Sequence, residues 1–471
     1  MLALDYLRRS RRITPEIEVK AIEYINVGYQ RLLTFEVAGG GFDWYGKAPA
    51  NIVLSGYAVL EFSDMARVYD IDTRIIDRTR AWLFAQQKPD GSWPMPPQTS
   101  WSWTGLSGDY VVTSYVAWCL AESGYKGAEL DRACTWLRDH LDEAKDSYAV
   151  AIAMNALVIA DPKGKETEIL LADLEKRKIE SDDRRMAYWT QDGKTAFYAQ
   201  GDSAHIETTA LITNGLLKGG FSPNTVNHAL AYLAQKKHAN GTWGTTSATI
   251  LALRAILHGM GGIEQKATTT VTFGLNDAER KVSIDPDQAD VLQLVTFRDG
   301  QRELARPGSN DISIAAQGET ACMAQVVGRA WIPWKDVPSD GKKALDIRID
   351  YDRTLLTKDD VLTATVTMTY NGTTPTFMIC ADLGIPPAFV VDDSAFEKMV
   401  KEKSLDRFSM TSRQITLYFG TVQPGQVVTF SYQLRAKYPV KAKTPKSSAY
   451  EYYAPDRRGE AEPIEIEVTE K

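Results

Sequence analysis

The sequence predicts a multidomain chain: an incomplete α/α toroid of about eleven helices followed by two antiparallel β-sandwich units. Two observations carry that prediction. Up to GMGG at 259–262, apolar residues recur with helical periodicity between glycine turns; beyond it, short β-branched runs alternate with Asp, Gly and Pro turns. Within the first half, helices that are apolar on every side alternate with helices that carry one charged face. A helix of the first kind must be enclosed and one of the second meets water, so the alternation describes an inner ring wrapped by an outer one. At 471 residues, the chain is long enough for each unit to bury its own core.

Taken in order, helical segments are predicted near 2–10, 15–37, 50–69, 73–87, 109–123, 128–141, 146–160, 165–179, 204–218, 223–237 and 245–259. Thr14-Pro15 and Ser222-Pro223 each set a capping hydroxyl ahead of a proline at the first helical position. YVVTSYVAWCLAES, SYAVAIAMNALVIA, HIETTALITNGLL and TSATILALRAIL are of the enclosed kind. DTRIIDRTRAWLFAQQ, ELDRACTWLRDHL, TEILLADLEKRK and NTVNHALAYLAQKK have a wet face. Glycine followed two residues later by an aromatic recurs at Gly40/Phe42, Gly91/Trp93 and Gly241/Trp243, with a related DGKTAF at 192–197. The spacing is about 50 residues or twice that, the length of one helix pair with its turns. With segment 2–10 counted as inner, six inner helices face five outer ones, and the expectation is one outer helix missing ahead of residue 1.

In the second half, strand-like runs at 268–274, 280–284, 291–297, 310–317 and 321–330 form a first β unit. A polar linker, KDVPSDGKK at 335–343, leads to a second through LDIRIDY, VLTATVTMTY, TFMICADL, RQITLYFG, VVTFSYQLRA and SAYEYYA. The alternation in VLTATVTMTY marks a sandwich strand wet on one face. DSAFEKMVKEK at 393–403 is a helical insert, and the acidic tail EAEPIEIEVTEK holds at most one short strand.

Several functions are excluded on composition. The balance of 54 Lys+Arg against 61 Asp+Glu gives −7, a field that repels phosphates, so no nucleic-acid partner is expected. No run approaches the ~20 apolar residues of a membrane span. MLALDYLRRSRR places its basic cluster after the apolar stub, the reverse of a secretory signal. Cys119, Cys134, Cys322 and Cys380 sit among apolar neighbours and read as buried free thiols, with Cys119–Cys134 the one pairing to test. The five histidines show no zinc spacing, so neither metal nor cofactor is expected; His205 reads as a polar group near an inner-ring face.

QKPDGSW at 87–93, with a looser copy at Lys237–Trp243, fits the QxxxGxW motif of terpene-cyclase toroids. Those enzymes protonate an alkene with an aspartate of a DxDD cluster, whereas DIDT at 70–73 offers only Asp70 and Asp72, and Asp182-Asp183 stands alone. The structural reading is preferred: the glutamine caps a helix end, the glycine turns, and the aromatic plugs the space between helix pairs. KMVKEK at 398–403 reads as a solvated helix face. Of the glycosylation patterns Asn240-Gly-Thr and Asn371-Gly-Thr, only the second is away from an aromatic expected to be buried, Trp243.

Order and residues together resemble a family. GYQRLLTFEVAGGGFDWYGKAPANIVLSGYAVLEF (28–62), WLFAQQKPDGSW (82–93), YWTQDGKTAFY and IETTALITNGLL resemble the thioester domain of α-macroglobulins and complement-type thioester proteins. RQITLYFGTV, YPVKAKTP and AYEYYAP resemble that family's C-terminal receptor-binding macroglobulin domain. The resemblance implies a thioester-domain-like toroid at 1–262, the C-terminal half of a CUB-like β-domain at 263–335, a linker at 336–343 and a receptor-binding-type sandwich at 344–471. The family's reactive CxEQ motif does not occur, since GIEQ at 262–265 lacks the cysteine, and the chain looks like a C-terminal fragment.

What the resemblance carries over is the thioester's housing. The bulky side chains that keep water off the bond in relatives fall on Tyr45, Met378, Tyr418 and Tyr452; a thioester survives in water only when dry. The position of the family's acyl-accepting histidine falls near Trp101, with no histidine there, and Lys398 is the receptor-contact candidate. The implied role is inhibition of endopeptidases by conformational entrapment, extracellular or periplasmic, with no catalysis by this chain. The implied partners are proteases, the remaining N-terminal part of the same protein, and a receptor at the C-terminal domain. An α/α-toroid enzyme of terpene-cyclase type and a non-catalytic binding module stay open as alternatives. Marginal stability is expected from uncovered apolar surface and strand edges.

Overall fold

The computed structural model describes residues 1–9, 13–95, 105–238, 241–260, 267–286, 293–299, 302–318, 324, 326–328, 332–333 and 343–470. Among them, the first half forms α1 (Leu2–Arg9), α2 (Pro15–Leu33), α3 (Ile52–Ala66), α4 (Arg74–Gln86), α5 (Asp109–Glu122), α6 (Ala128–Asp139), α7 (Ser147–Ala160) and α8 (Lys165–Arg177). A small hairpin, β1 (Ile179–Glu180) and β2 (Ala187–Tyr188), precedes α9 (Gly201–Gly219), α10 (Pro223–Gln235) and α11 (Thr246–Met260). The eleven predicted helices are present.

α3, α5, α7, α9 and α11 pack in succession as a ring, and α1 lies against α11. α4, α6, α8 and α10 each back onto the inner helix beside them. Burial follows the two helix types: α7 is buried continuously from Ser147 to Val158, whereas α10 buries only one face through Val226, Ala229 and Leu233. α2 begins as predicted, with the Thr14 hydroxyl accepting from the Ile17 amide. Ser222 does not cap α10. It sits in left-handed backbone, φ +44°, and its side chain makes no capping bond.

The glycine–aromatic repeat has a common construction. The Trp93 and Trp243 indole N–H groups donate to the Leu83 and Leu233 carbonyls of the outer helices just before them, at 2.8 and 2.6 Å. Their backbone N–H groups donate to the Thr113 and Thr249 hydroxyls of the next inner helices, at 2.8 and 3.0 Å. The third unit uses Trp189, bonded to Leu174 and Thr209 at 2.7 and 3.1 Å, rather than the DGKTAF aromatic Phe197. Phe42 keeps only the backbone half, to the Ser55 hydroxyl. Gln87 spans the turn, its amide donating to the Gly91 and Glu129 carbonyls at 2.9 and 2.8 Å. Each indole fills the space between helix pairs and satisfies a carbonyl that the end of an outer helix leaves free.

The β half opens with β3 (Thr269–Leu275) and β4 (Ala278–Ile284), followed by the short pair β5 (Arg298–Asp299) and β6 (Arg302–Glu303) and then β7 (Ile312–Gln317). β3 is central, with β4 and β7 antiparallel on either side. The strand predicted at 291–297 does not form over its described residues 293–297; no neighbouring strand pairs with that stretch among the described residues. Of the run 321–330, residues 324 and 326–328 are not in strand and the rest lie outside the described residues, as do the linker positions 335–342.

The last unit comprises β8 (Leu345–Tyr351), β9 (Leu355–Thr357), β10 (Val361–Tyr370), β11 (Thr376–Gly384), β12 (Phe389–Asp392), α12 (Ser394–Lys401) and β13 (Arg407–Met410). It continues with β14 (Gln414–Val422), β15 (Val427–Ala436), β16 (Val440–Lys443), β17 (Ser447–Glu451), β18 (Ala454–Ala461) and β19 (Glu465–Thr469). One sheet runs β12-β15-β10-β8 and a second β13-β14-β11-β17-β18, with a small β16-β19-β9 sheet beside them. β10 alternates strictly between buried and half-buried residues, as its sequence predicts. Val366, Leu383, Leu417 and Leu434 meet in the core between the sheets, and α12 drops Phe396 into it.

Candidate functional site at the seam between helices and sandwich

The hairpin joining β17 to β18 turns through Tyr452 and Tyr453, and this tip meets the toroid. The Tyr453 carbonyl accepts the Gln200 N–H at 3.0 Å, just before α9. Its ring centroid lies 5.7 Å from that of Tyr198, and Phe377 completes a triad at 6.4 Å from each. The Asp456 carboxylate lies beside Gly201, where a methyl group would meet it at 3.1 Å. Tyr198 and Met378 both adopt left-handed backbone, φ +65° and +61°. Non-glycine residues hold that conformation only where surrounding contacts impose it.

Three of the four sequence-predicted shielding residues lie on the second sheet or on its β17–β18 turn: Met378 in β11, Tyr418 in β14 and Tyr452 in the turn. The Met378 carbonyl accepts the Tyr452 N–H at 2.9 Å, and the Tyr452 ring stands edge-on to Tyr453 at 5.0 Å. Tyr418 lies opposite Cys380 in register, with the Arg407 guanidinium 4.1 Å above its ring. Tyr45 stands on the toroid side, in a turn held by its N–H donating to Asp43 at 2.9 Å. Burial first, then Tyr452, Tyr198 and Tyr45, push the Tyr453 phenol up to about 12, so Tyr45 acts on the same cluster from across the seam. Tyr45 and Tyr452 are 59% and 41% exposed.

Sequence reasoning missed Tyr198, Phe377 and Tyr453. The available signal was a Tyr-Tyr pair where a hairpin turn ordinarily selects Gly, Asn or Asp. Trp101 lies in 96–104, outside the described residues. Lys398 is on the outer surface of α12, paired with Glu402 at 3.8 Å, as a solvated helix face should be.

Among the described residues, the acids weighed for a cyclase site, Asp70, Asp72 and Asp183, do not converge. Asp72 lies on the surface, held by Arg74 at 2.8 Å, and Asp70 precedes it in the same exposed connection. Asp183 is taken up locally by Ser181 and the Arg185 amide. One mouth of the ring is plugged by Phe197, its centroid 5.4 Å from Tyr57, 6.2 Å from Tyr115 and 6.3 Å from Trp44. Glu207, buried near that end, accepts from the Ser247 and Thr245 hydroxyls, and burial pushes its carboxyl up to about 7. The His205 Nδ1 accepts the Gln191 N–H at 2.9 Å, which places this histidine at the inner-ring face and its Nδ1 without a proton. At the opposite end, Arg254 of α11 bridges Asp64 of α3 and Glu122 of α5, and Lys218 of α9 also pairs with Glu122.

Cys119, Cys134 and Cys380 are free buried thiols, so the Cys119–Cys134 bridge is not formed; Cys322 lies outside the described residues. Burial pushes the Cys134 and Cys380 thiols up to about 11 and about 12, which makes both poor nucleophiles. Among the described residues, no group of acidic, histidine and cysteine side chains could hold a metal ion, and no helix is long and apolar enough to cross a membrane.

A toroid seated on a sandwich through an aromatic seam is an architecture whose distinctive geometry lies between domains rather than in a pocket. The family model described as the A-macroglobulin TED domain matches residues 1–258, and that described as the A-macroglobulin receptor binding domain matches residues 374–463. The first match spans more than half of the chain, and the chain belongs to the α-macroglobulin family. Ovostatin of Gallus gallus is 20% identical over 486 residues, covering 98% of this chain and 32% of ovostatin. Native Escherichia coli α-2-macroglobulin, in a structure from domain MG7 to the C-terminus, is similar with a TM-score of 0.61 at 15% identity, over 98% of this chain and 70% of that one. Salmonella α-2-macroglobulin reacted with methylamine matches at TM-score 0.61 and 14% identity, over 98% of this chain and 28% of that one. The chain thus spans about a third of the length of ovostatin.

Proposed function

We propose that this chain is the C-terminal, non-catalytic part of a macroglobulin-type endopeptidase inhibitor, and that it supplies the housing of a protease trap. The observation that carries this reading is the seam, where a family-type toroid and receptor-type sandwich meet with Tyr45, Met378, Tyr418 and Tyr452 around one junction. In this reading 263–335 is half of a CUB-like domain between the two, 336–343 is a linker, and 344–471 is the receptor-binding unit. The four side chains keep water from whatever acyl group the junction covers. The partners are proteases, the rest of the inhibitor and a receptor at the sandwich, and the setting is extracellular or periplasmic. The surface positions of Asp70 and Asp72, with the plugged ring, disfavour the cyclase alternative.

Two measurements test the proposal. Intact mass after methylamine treatment should be unchanged, because Cys-x-Glu-Gln does not occur in this sequence; an adduct overturns the non-reactive assignment. An inhibitor polypeptide carrying this chain should block protease action on a large protein substrate while sparing a small peptide substrate. Equal loss on both substrates identifies active-site blockade and refutes entrapment.

A further inference from the structure

We propose that the buried Glu451 carboxylate is the positioning residue of the docking tip: it fixes the two aromatic rings, Phe377 and Tyr453, that the sandwich brings to the toroid. The inference rests on the seam being the working junction of the reading above. Glu451 closes the β17–β18 hairpin opposite Ala454, with Tyr452 and Tyr453 between them. Two-residue loops that match the twist of their strands are of types I′ and II′, which need left-handed backbone in the loop. Neither Tyr452 nor Tyr453 is left-handed. The tip is therefore not held by its own turn geometry. At its base the register shifts between Tyr450 and Glu451, a bulge of the kind that re-aims a side chain.

Within the sandwich, one carboxylate supplies the hold. Glu451 is 2% exposed. It accepts the Thr376 hydroxyl at 2.9 Å, from the residue that leads into Phe377 and Met378 of β11. The Arg457 guanidinium of β18 reaches its two oxygens at 3.2 and 3.3 Å. One side chain thus ties the start of β11 and the start of β18 to the end of β17. The first of these strands carries Phe377, and the other two carry the tip. The Phe377 and Tyr453 rings lie 20° from parallel with centroids 6.4 Å apart, and Tyr198 of the toroid packs against both. Burial raises the Glu451 carboxyl above its ordinary value although Arg457 opposes it. A buried acid of that kind costs desolvation, so the geometry it imposes, rather than net stability, accounts for its place here.

The test is hydrogen exchange at the Gln200 amide, which donates to the Tyr453 carbonyl across the seam, measured in the full chain. Glu451→Leu should speed that exchange roughly tenfold or more, the loss of hydrogen bonds to a charged group, while the melting of the sandwich is retained. Glu451→Gln keeps one acceptor oxygen and should fall between Glu451→Leu and wild type. Thr376→Val removes one donor without touching the acid and should speed exchange in the same direction, which keeps the proposal testable if Glu451→Leu does not fold. Magnetisation transfer between the Tyr198 and Tyr453 rings should weaken in the same order. Unchanged Gln200 exchange in Glu451→Leu or Thr376→Val, a Glu451→Gln variant no slower than Glu451→Leu, or faster exchange that merely accompanies loss of the sandwich's melting transition overturns the proposal. Substrate-size selectivity that fails while the Gln200 effect holds rejects the protease trap and leaves the role of Glu451 standing.

Discussion

Arg254→Met is the most informative single perturbation of the toroid. The Arg254 side chain is 5% exposed and links Asp64, 3% exposed, with Glu122, 7% exposed. Removing the guanidinium leaves two carboxylates inside the ring. Asp64 then keeps Arg67, at 3.3 Å and 43% exposed, while Glu122 keeps Lys218. Breaking a buried pair by removing one partner costs about 3–5 kcal/mol, and the two residual partners place this case near the lower bound, about 3 kcal/mol. For a unit the size of the toroid, that corresponds to a melting shift of about 6–12 °C. Differential scanning calorimetry measures it directly. A second variant, Asp64→Leu with Arg254→Met, removes the buried Asp64 charge together with the guanidinium while leaving the Glu122–Lys218 pair in place, and should recover most of the loss. A single-variant shift within 2 °C of wild type, or a double variant less stable than the single, would refute the view that this cluster is a mutually dependent ion network.

Further outcomes follow from the other contacts. Thr113→Val strands the buried Trp93 N–H and should destabilise by about 1–3 kcal/mol in urea unfolding, whereas the same change at exposed Thr135 should be nearly silent. Glu207 has a folded value of about 7 against 4.5 when unconstrained, so the folded state binds the extra proton between those values. Stability from this group is therefore greatest below pH 4.5 and declines as pH rises to 7, by up to about 3 kcal/mol. Glu207→Gln should flatten that slope in denaturation curves collected from pH 5 to 8. Tyr453→Ala removes three aromatic contacts, to Tyr198, Phe377 and Tyr452, and should speed amide exchange at Gln200 roughly tenfold or more with the toroid's melting unchanged; unaltered exchange there would show that the tip does not hold the domains together.

Helix positions and the two helix types were legible because both are local properties. A segment such as SYAVAIAMNALVIA has no side that tolerates water, and the ring encloses it. The Gln87 and Trp93 roles were legible for the same reason, as a turn and its plug lie within one motif. The seam was legible only in part. Family resemblance pointed to Met378, Tyr418 and Tyr452, but the Tyr198, Phe377 and Tyr453 triad joins residues from three separated stretches and carries no local pattern.

From residue order alone came the helical half, the strand half, the inner and outer rings and the absence of the Cys-x-Glu-Gln motif, since periodicity and composition record which faces a segment must hide. Tertiary packing decided that Trp189 rather than Phe197 fills the third plug, and that Phe197 closes the ring's mouth instead. It also left 293–297 out of any strand among the described residues, kept Cys119 and Cys134 apart as thiols, and turned Ser222 away from its helix. Charges embedded in apolar helices, Asp64, Glu122, Lys218 and Arg254, looked like isolated exceptions along the chain and became a network only when four helices met. The physical reason is common to these cases: a side chain's own sequence neighbours determine whether it is hidden, but only the folded chain determines which distant group it meets there.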